Sequence, residues 1–412
     1  MAENILEQIS KTEKIPLSVI KKEITNGRCA VLKNLKRNIN PVAIGNKFRC
    51  KVNINIGLSP ESKDIKQEID KLNLIIKYGA DTVMDLTPSV YSNTTRKELI
   101  KNCSIPFGTV PIYTMIESQK DIKKINKTFI LDSIERQCEE GVDFMTLHSA
   151  FRRTHLKYVK KRLMPVVSRG GALIARYMSI TGNENPFYEY FPEIMDILAK
   201  YSVAVSIGDG LRPGCLADAT DKAQLAELYE MRELLKICRK KGVYAMVEGP
   251  GHIPLNEIEK NVAIARKATS DAPLYFLGPL VIDSAMGFDH INGAIGSAMA
   301  GYYGVSLLCA VSPSEHIGLP NLKDIKSTLE VFELVKRAVN VAKGFKDFKI
   351  REKEMSLARK NFDWLKQFEL SIDPNFTEER FHELNGKKSK HCSMCGSKYC
   401  AIKNSIKAME TV

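Results

Sequence analysis

Near the end of the chain three cysteines, Cys392, Cys395 and Cys400, stand within nine positions in the stretch "KHCSMCGSKYC". Two thiolates three positions apart grip one metal centre, and a third five positions on closes over a cubane. A mononuclear zinc site normally wants a fourth ligand, which the adjacent His391 offers. Three ligands alone leave one iron of a [4Fe–4S] cluster open. An open iron can hold S-adenosylmethionine by its amino and carboxylate groups and release a 5′-deoxyadenosyl radical. From the spacing, cluster and zinc both stay open.

His252 in "VEGPGHIPL" and His316 in "VSPSEHIGLP" each follow an apolar run and stand in a Gly/Pro-rich corner. Neutral imidazoles placed so can share a metal, with water, substrate or Glu248 supplying the rest. "VVSRGG" and "SIGDGLRPG" have the make-up of anion corners, because glycine lets backbone N–H groups approach an oxyanion while Ser168, Arg169 and Arg212 add a hydroxyl and two guanidinium forks. Asp209 is an acceptor suited to a sugar hydroxyl. Together the two corners suggest a phosphorylated sugar.

Such residues need a scaffold. Nine short apolar runs end in polar or glycine-containing corners: "CKVNINIG", "DTVMDL", "FGTVPIY", "DFMTLH", "MPVVSR", "VAVSIGDG", "VYAMVEG", "PLYFLG" and "LLCAVS". Helical patterns such as "FPEIMDILAKY" separate most of them, so the chain is built of βα units around a parallel sheet. Eight units close into a (β/α)8 barrel, and one of the nine runs must then lie outside it. A doubly wound open sheet is the structural alternative. Asn55, Met84, Tyr113, His148, Ser168 with Arg169, Asp209 and Glu248 all fall where a run ends, and a barrel gathers those ends on one face. The expected organisation is an accessory segment of helix and loop over 1–48, the barrel over 49–321, a helical extension over 322–385 and a flexible tail with the cysteines over 386–412.

The 412 residues are long enough for this, and their composition, 44% hydrophobic and 26% charged, is that of a globular protein. The N-terminus does not read as a signal peptide and no run reaches a membrane span. This points to the cytoplasm, where thiols stay reduced and the other seven of the ten cysteines read as buried bystanders. A net charge of +13 comes from scattered lysines, without the basic and aromatic interleaving of a nucleic-acid binder. A zinc-knuckle nucleic-acid protein finds only Lys390, Lys398 and Tyr399 around the triplet, and a zinc-only barrel hydrolase would leave the triplet idle.

In order along the chain, "NINIG", "GADTVMDL", "GTVPIY", "VSRGG", "GDGLRPG", "EGPGH", "LGPL", "GFDHI", "EHIGLPN", "DWLKQFELSIDP" and "CSMCGSKYC" closely resemble the phosphomethylpyrimidine synthase (ThiC) family of radical S-adenosylmethionine enzymes. The resemblance implies a homodimeric barrel with a C-terminal helical domain and a [4Fe–4S] cluster on Cys392, Cys395 and Cys400. It implies zinc on His252 and His316. Substrate contacts are implied for Asn55, Met84, Tyr113, His148, Glu248 and Tyr275, and phosphate and ribose contacts for Ser168, Arg169, Gly170, Asp209, Gly210, Leu211 and Arg212. The implied reaction is the rearrangement of 5-aminoimidazole ribonucleotide to 4-amino-5-hydroxymethyl-2-methylpyrimidine phosphate for thiamine, releasing formate and carbon monoxide. The electron comes from a donor such as flavodoxin or ferredoxin, and neither nucleic acid nor membrane is a partner.

Some residues depart from the family pattern. "IDSAMGFDHINGAIG" replaces "TDIAPGYDHITSAIG", placing Met286 for a proline and Phe288 for a tyrosine, and "LHSAFRR" sets Arg152 and Arg153 after His148. The usual opening motif, a Thr-Gln-Met start followed by a Gly-Ile-Ile-Thr-like stretch, is absent. The alternative these departures raise is the sister enzyme 5-hydroxybenzimidazole synthase, which makes a cobamide lower-ligand base from the same ribonucleotide.

Overall fold

The computed structural model describes residues 3–59, 64–88, 92–119, 121–387 and 389–410. Eight parallel strands close a barrel in sequential order: β3 (Lys51–Ile56), β4 (Thr82–Asp85), β5 (Phe107–Thr109), β6 (Phe144–Leu147), β7 (Ala204–Ile207), β8 (Ala245–Gly249), β9 (Leu274–Leu277) and β10 (Leu307–Cys309), which pairs back onto β3. The expected (β/α)8 barrel is therefore the fold. A parallel barrel is covered on its outside by helices and filled inside by side chains, so its strands read as short apolar runs.

The run outside the barrel is "MPVVSR". Pro165 has no N–H for a ladder, and the amides of Leu163 and Met164 are taken by the Asp218 carboxylate at 3.0 and 2.8 Å. The segment instead leads into the helix Arg169–Thr181, capped by Ser168 Oγ accepting the Gly171 N–H at 3.1 Å. Asn126 and Asp221 cap the helices Lys127–Glu140 and Lys222–Lys241 in the same way. These caps fix where each helix begins, and so where each strand-end loop stops.

The first 48 residues hold more than helix and loop. After the helices Glu3–Glu13 and Leu17–Thr25, β1 (Ala30–Leu32) and β2 (Val42–Ile44) form an antiparallel pair, each too short to show alternation in sequence. Leu6, Ile9, Ile20, Val31 and Phe48 form a small core of their own. Two buried ion pairs fasten the segment to the barrel: Lys51 Nζ to Glu13 at 2.6 Å, and Arg37 to Asp143. Asp143 also accepts the amides of Asn34 and Phe107, both at 2.8 Å. Asp143→Ala leaves the Arg37 guanidinium buried and unpaired, and we expect a loss of about 3–5 kcal/mol in denaturant unfolding. Unchanged stability would show that this staple contributes nothing.

By its contacts the chain divides into Met1–Val339 and Asn340–Val412, with the boundary inside the helix Leu322–Ala342. Within the second unit, Lys346–Lys360, Trp364–Leu370 and Pro374–Asn385 are helices, and Trp364 stacks on Phe381 with ring centroids 4.3 Å apart. The Trp364 indole N–H donates to the Lys390 carbonyl at 3.1 Å, just ahead of the cysteines. Among the described residues no helix is long and apolar enough to cross a membrane.

Candidate functional site

At the C-terminal ends of the barrel strands lies a cavity of about 230 Å³. Asn55 on β3 and Met84 on β4 are register partners, as are Glu248 on β8 and Tyr275 on β9, so strand pairing alone brings these side chains together. Tyr113 from the helix Pro111–Ser118 after β5, Arg169 from the start of the helix Arg169–Thr181, and His148, Asp209 and Arg212 from the loops after β6 and β7 reach the same cavity. Nine expected substrate contacts thus share one chamber.

The remaining four stand behind its wall. Ser168 Oγ lies 3.0 Å from His148 Nε2, and a Cβ on Gly170 would overlap the His148 ring. Gly171 meets the Gly210 backbone just as closely. The two anion corners therefore pack directly on each other, which only glycine allows. The Leu211 N–H points away from the chamber and is taken by Glu227 at 2.7 Å. At this corner the group able to take an anion is accordingly the Arg212 side chain, with Asp209 beside it at 3.1 Å as a hydrogen-bond acceptor.

Burial sets the charges. It pushes His148 down to about 3, helped by the Arg212 guanidinium, so the imidazole is neutral. Burial also pushes the Tyr113 and Tyr275 hydroxyls up, and the Asp209 carboxyl up against the opposing pull of Arg212. Burial works against the Arg212 charge, yet Asp209 at 3.1 Å and the nearby Glu248 outweigh it and hold the guanidinium charged.

Several functional neighbours were not legible in sequence. Glu248 is oriented by Thr146 Oγ1 at 2.7 Å and Ser206 Oγ at 2.9 Å, two hydroxyls turned inward from β6 and β7. Asn55 is oriented by Asn53 at 2.8 Å and donates to Cys309 Sγ at 3.2 Å. Cys309, counted with the bystanders, lines the chamber, and burial pushes its thiol up to about 11. Polar residues inside otherwise apolar runs were the available signal.

His252 and His316 come together, ring centroids 5.6 Å apart. His252 Nδ1 lies 2.9 Å from Asp283 and His316 Nδ1 lies 3.0 Å from Asp289. A carboxylate only accepts, so each Nδ1 carries its hydrogen and each Nε2 is left with a lone pair, the tautomer a metal ligand needs. The donor set fits a zinc ion at two positions. Among the described residues no third His, Cys, Asp or Glu joins them. Asp283 and Asp289 sit in the "IDSAMGFDHI" stretch, 31 and 27 residues from their histidines.

In the tail, Cys392 and Cys400 are half-buried and Cys395 is exposed, while the other seven cysteines are all buried. His391 faces Lys403, whose Nζ is 3.0 Å from its Nδ1. No three donors among the described residues converge on a single ion. Three thiols on one short segment are a ligand set that a [4Fe–4S] cluster with one open iron can take.

The departures lie outside the chamber, with Met286 and Phe288 between Asp283 and Asp289 in the stretch that holds the two histidines. Arg152 stacks on Tyr188 at 4.2 Å and faces Glu184 and Glu230, and Arg153 donates to the Gly182 carbonyl. Met286 and Phe288 are 65% and 69% exposed, and neither lines the chamber.

A family model described as the Radical SAM ThiC family matches residues 1–407. A phosphomethylpyrimidine synthase of Methanocaldococcus jannaschii is 46% identical over 400 residues, covering 96% of this chain and 94% of its own. Among solved structures, a dihydropteroate synthase of Coxiella burnetii aligns with 76% of this chain and 99% of its own, at a TM-score of 0.43 and 12% identity. A match extending from the accessory segment through the tail thiols, with a relative this similar along nearly its whole length, makes this chain a member of the radical SAM ThiC family.

Proposed function

We propose that this enzyme rearranges 5-aminoimidazole ribonucleotide into 4-amino-5-hydroxymethyl-2-methylpyrimidine phosphate, the pyrimidine half of thiamine, with release of formate and carbon monoxide. One observation carries the reading: the 230 Å³ chamber adjoins a second cavity of about 670 Å³ that shares Asn55, Leu86, Arg169 and Glu315 with it. Two connected chambers suit a reaction between two bound molecules, the ribonucleotide and S-adenosylmethionine.

Arg212, Arg169 and the first turn of the Arg169–Thr181 helix take the phosphate, and Asp209 accepts from a ribose hydroxyl. Neutral His148, the Tyr113 and Tyr275 hydroxyls, Asn55 and Glu248 orient the aminoimidazole and sugar, with Met84 as an apolar wall. Cys392, Cys395 and Cys400 would hold a [4Fe–4S] cluster, which, with a flavodoxin- or ferredoxin-type donor, would supply the one-electron chemistry that cleaves S-adenosylmethionine. The barrel walls keep water from the substrate while the rearrangement proceeds. Zinc on His252 and His316, a homodimeric assembly and a cytoplasmic setting complete the reading.

The test is an anaerobic incubation of cluster-reconstituted protein with the ribonucleotide, S-adenosylmethionine and dithionite, followed by mass analysis. A pyrimidine phosphate is expected, because none of the departing side chains Met286, Phe288, Arg152 or Arg153 lines the chamber. Formation of 5-hydroxybenzimidazole would overturn that product. No product and no 5′-deoxyadenosine would overturn the radical chemistry.

The zinc assignment has its own check. Asp289→Asn presents His316 with an amide that no longer fixes the tautomer, and zinc affinity is expected to fall about 10–100-fold in a competitive chelator titration. Equal affinity would remove Asp289 from the site.

A further inference from the structure

Behind the corner 208–212, two buried side chains hold its backbone from opposite sides. Glu227, on the helix Lys222–Lys241, is 2% exposed and accepts the Leu211 N–H through Oε2 at 2.7 Å. Arg162, with its side chain 1% exposed, donates to the Leu211 carbonyl at 2.6 Å and the Arg212 carbonyl at 3.3 Å. Its other donors form a two-point pair with Asp221, each contact 2.8 Å, and Asp221 is the residue that caps the same helix. One helix start therefore grips both the N–H and the C=O side of the corner that carries Asp209 and Arg212.

A cavity of about 20 Å³ lies between this helix and the chamber, lined by Asp209, Arg212, Glu227 and Glu248. Asp209 Oδ2 is buried with no hydrogen-bond partner within the protein, and Glu227 Oε1, beside the Gly210 backbone, makes no well-formed hydrogen bond. The volume exceeds the roughly 10–15 Å³ that one water needs, and two carboxyl oxygens give such a water its partners. Two like charges this deep cannot both be left ionised without cost.

We infer that Glu227, with Arg162 opposite, is a positioning residue for Asp209 and Arg212, and that the small cavity couples its proton to Asp209, so that Glu227 adds no negative charge beside Asp209 and Glu248 when a ribonucleotide binds. The inference rests on the proposed phosphate and ribose role of this corner. Burial pushes Glu227 up to about 8, opposed by the Leu211 amide, by Arg162 and by the Gly210 amide, and raised further by Glu248. The charged groups facing it are Arg162 from the segment before the Arg169–Thr181 helix, Asp209 and Arg212 from the corner, and Glu248 from β8. A carboxyl with a raised pKa is neutral below it and ionises as pH rises through it. Above about pH 8 a further negative charge then appears behind the corner.

The experiment is calorimetric titration of 5-aminoimidazole ribonucleotide into the full-length, cluster-reconstituted protein at pH 7, 8 and 9. In the wild type, binding is expected to weaken about tenfold from pH 7 to 9, as the neutral fraction of one group falls. In Glu227→Gln, which keeps an acceptor for Leu211 and cannot ionise, binding at pH 7 is retained and the alkaline loss disappears. Arg162→Met is expected to weaken binding at every pH and to move the alkaline loss to higher pH, because the guanidinium that opposes the rise is gone. Should Glu227→Gln fail to fold, Glu227→Met serves as the uncharged variant. Wild-type binding that is flat with pH, or an alkaline loss that persists in the uncharged variant, overturns the inference and leaves the substrate assignment standing. No binding at any pH overturns both.

Discussion

Cys395→Ala is expected to abolish turnover to background and to remove the visible absorbance of the reconstituted cluster, while the unfolding transition stays where it was. Cys395 is exposed, and it heads a turn whose backbone is held by the Gly396 N–H to the Cys392 carbonyl at 3.2 Å, a bond the side chain does not enter. Surface substitutions of this kind alter stability by no more than about 0.5 kcal/mol. The chemical loss is total because a three-thiolate cluster has no spare protein ligand: His391 is engaged by Lys403. Anaerobic spectra, 5′-deoxyadenosine formation and thermal unfolding on the same sample separate the outcomes. Normal turnover in the variant would show that the triplet is not the cluster site, and a large drop in stability would mean that the thiol serves the fold.

Gly170→Ala carries the second largest effect, and for the opposite reason. The added methyl falls on the His148 ring, a buried side chain that lines the chamber. Either the ring tilts and loses its 3.0 Å contact with Ser168, or the helix Arg169–Thr181 backs away and takes its first-turn amides with it. Both move groups proposed to hold the substrate by about an ångström, and a displacement of that size costs about 10²-fold in rate. Overpacking adds about 1–3 kcal/mol of lost stability. Steady-state kinetics alongside unfolding test the pair of effects. Wild-type kcat/KM with a lowered melting temperature would show that the close approach of Gly170 to His148 serves packing alone.

The alternation of apolar runs with helical patterns, and the polar residues that close each run, made a barrel and its functional face legible from composition and order. Nine of the thirteen expected substrate contacts line one chamber because strand ends in a parallel barrel share a face whatever the details of packing. The tail spacing narrowed the metal chemistry to cluster or zinc without any fold at all, since ligand count and reach are local properties of the chain.

What closure of the barrel decided was different in kind. "MPVVSR" and "LLCAVS" look alike as apolar runs, yet only the second is a strand, because at the start of the first the Leu163 and Met164 amides are spent on Asp218 and Pro165 has none to give. Periodicity reports that a residue is buried, not which of the two buried faces of a barrel strand it occupies. That is why Thr146, Ser206 and Cys309 became site residues only once their strands had neighbours. Asp283 with His252, Asp289 with His316, and Glu227 with the corner at Leu211 are pairings across 31, 27 and 16 residues. Such partners are chosen by the packing of successive βα units rather than by any local preference. The sequence by itself determined the repertoire of chemical groups and the face they would occupy, while the tertiary structure alone decided which of them hold one another in place, because hydrogen bonds between distant segments depend on the geometry that closure imposes.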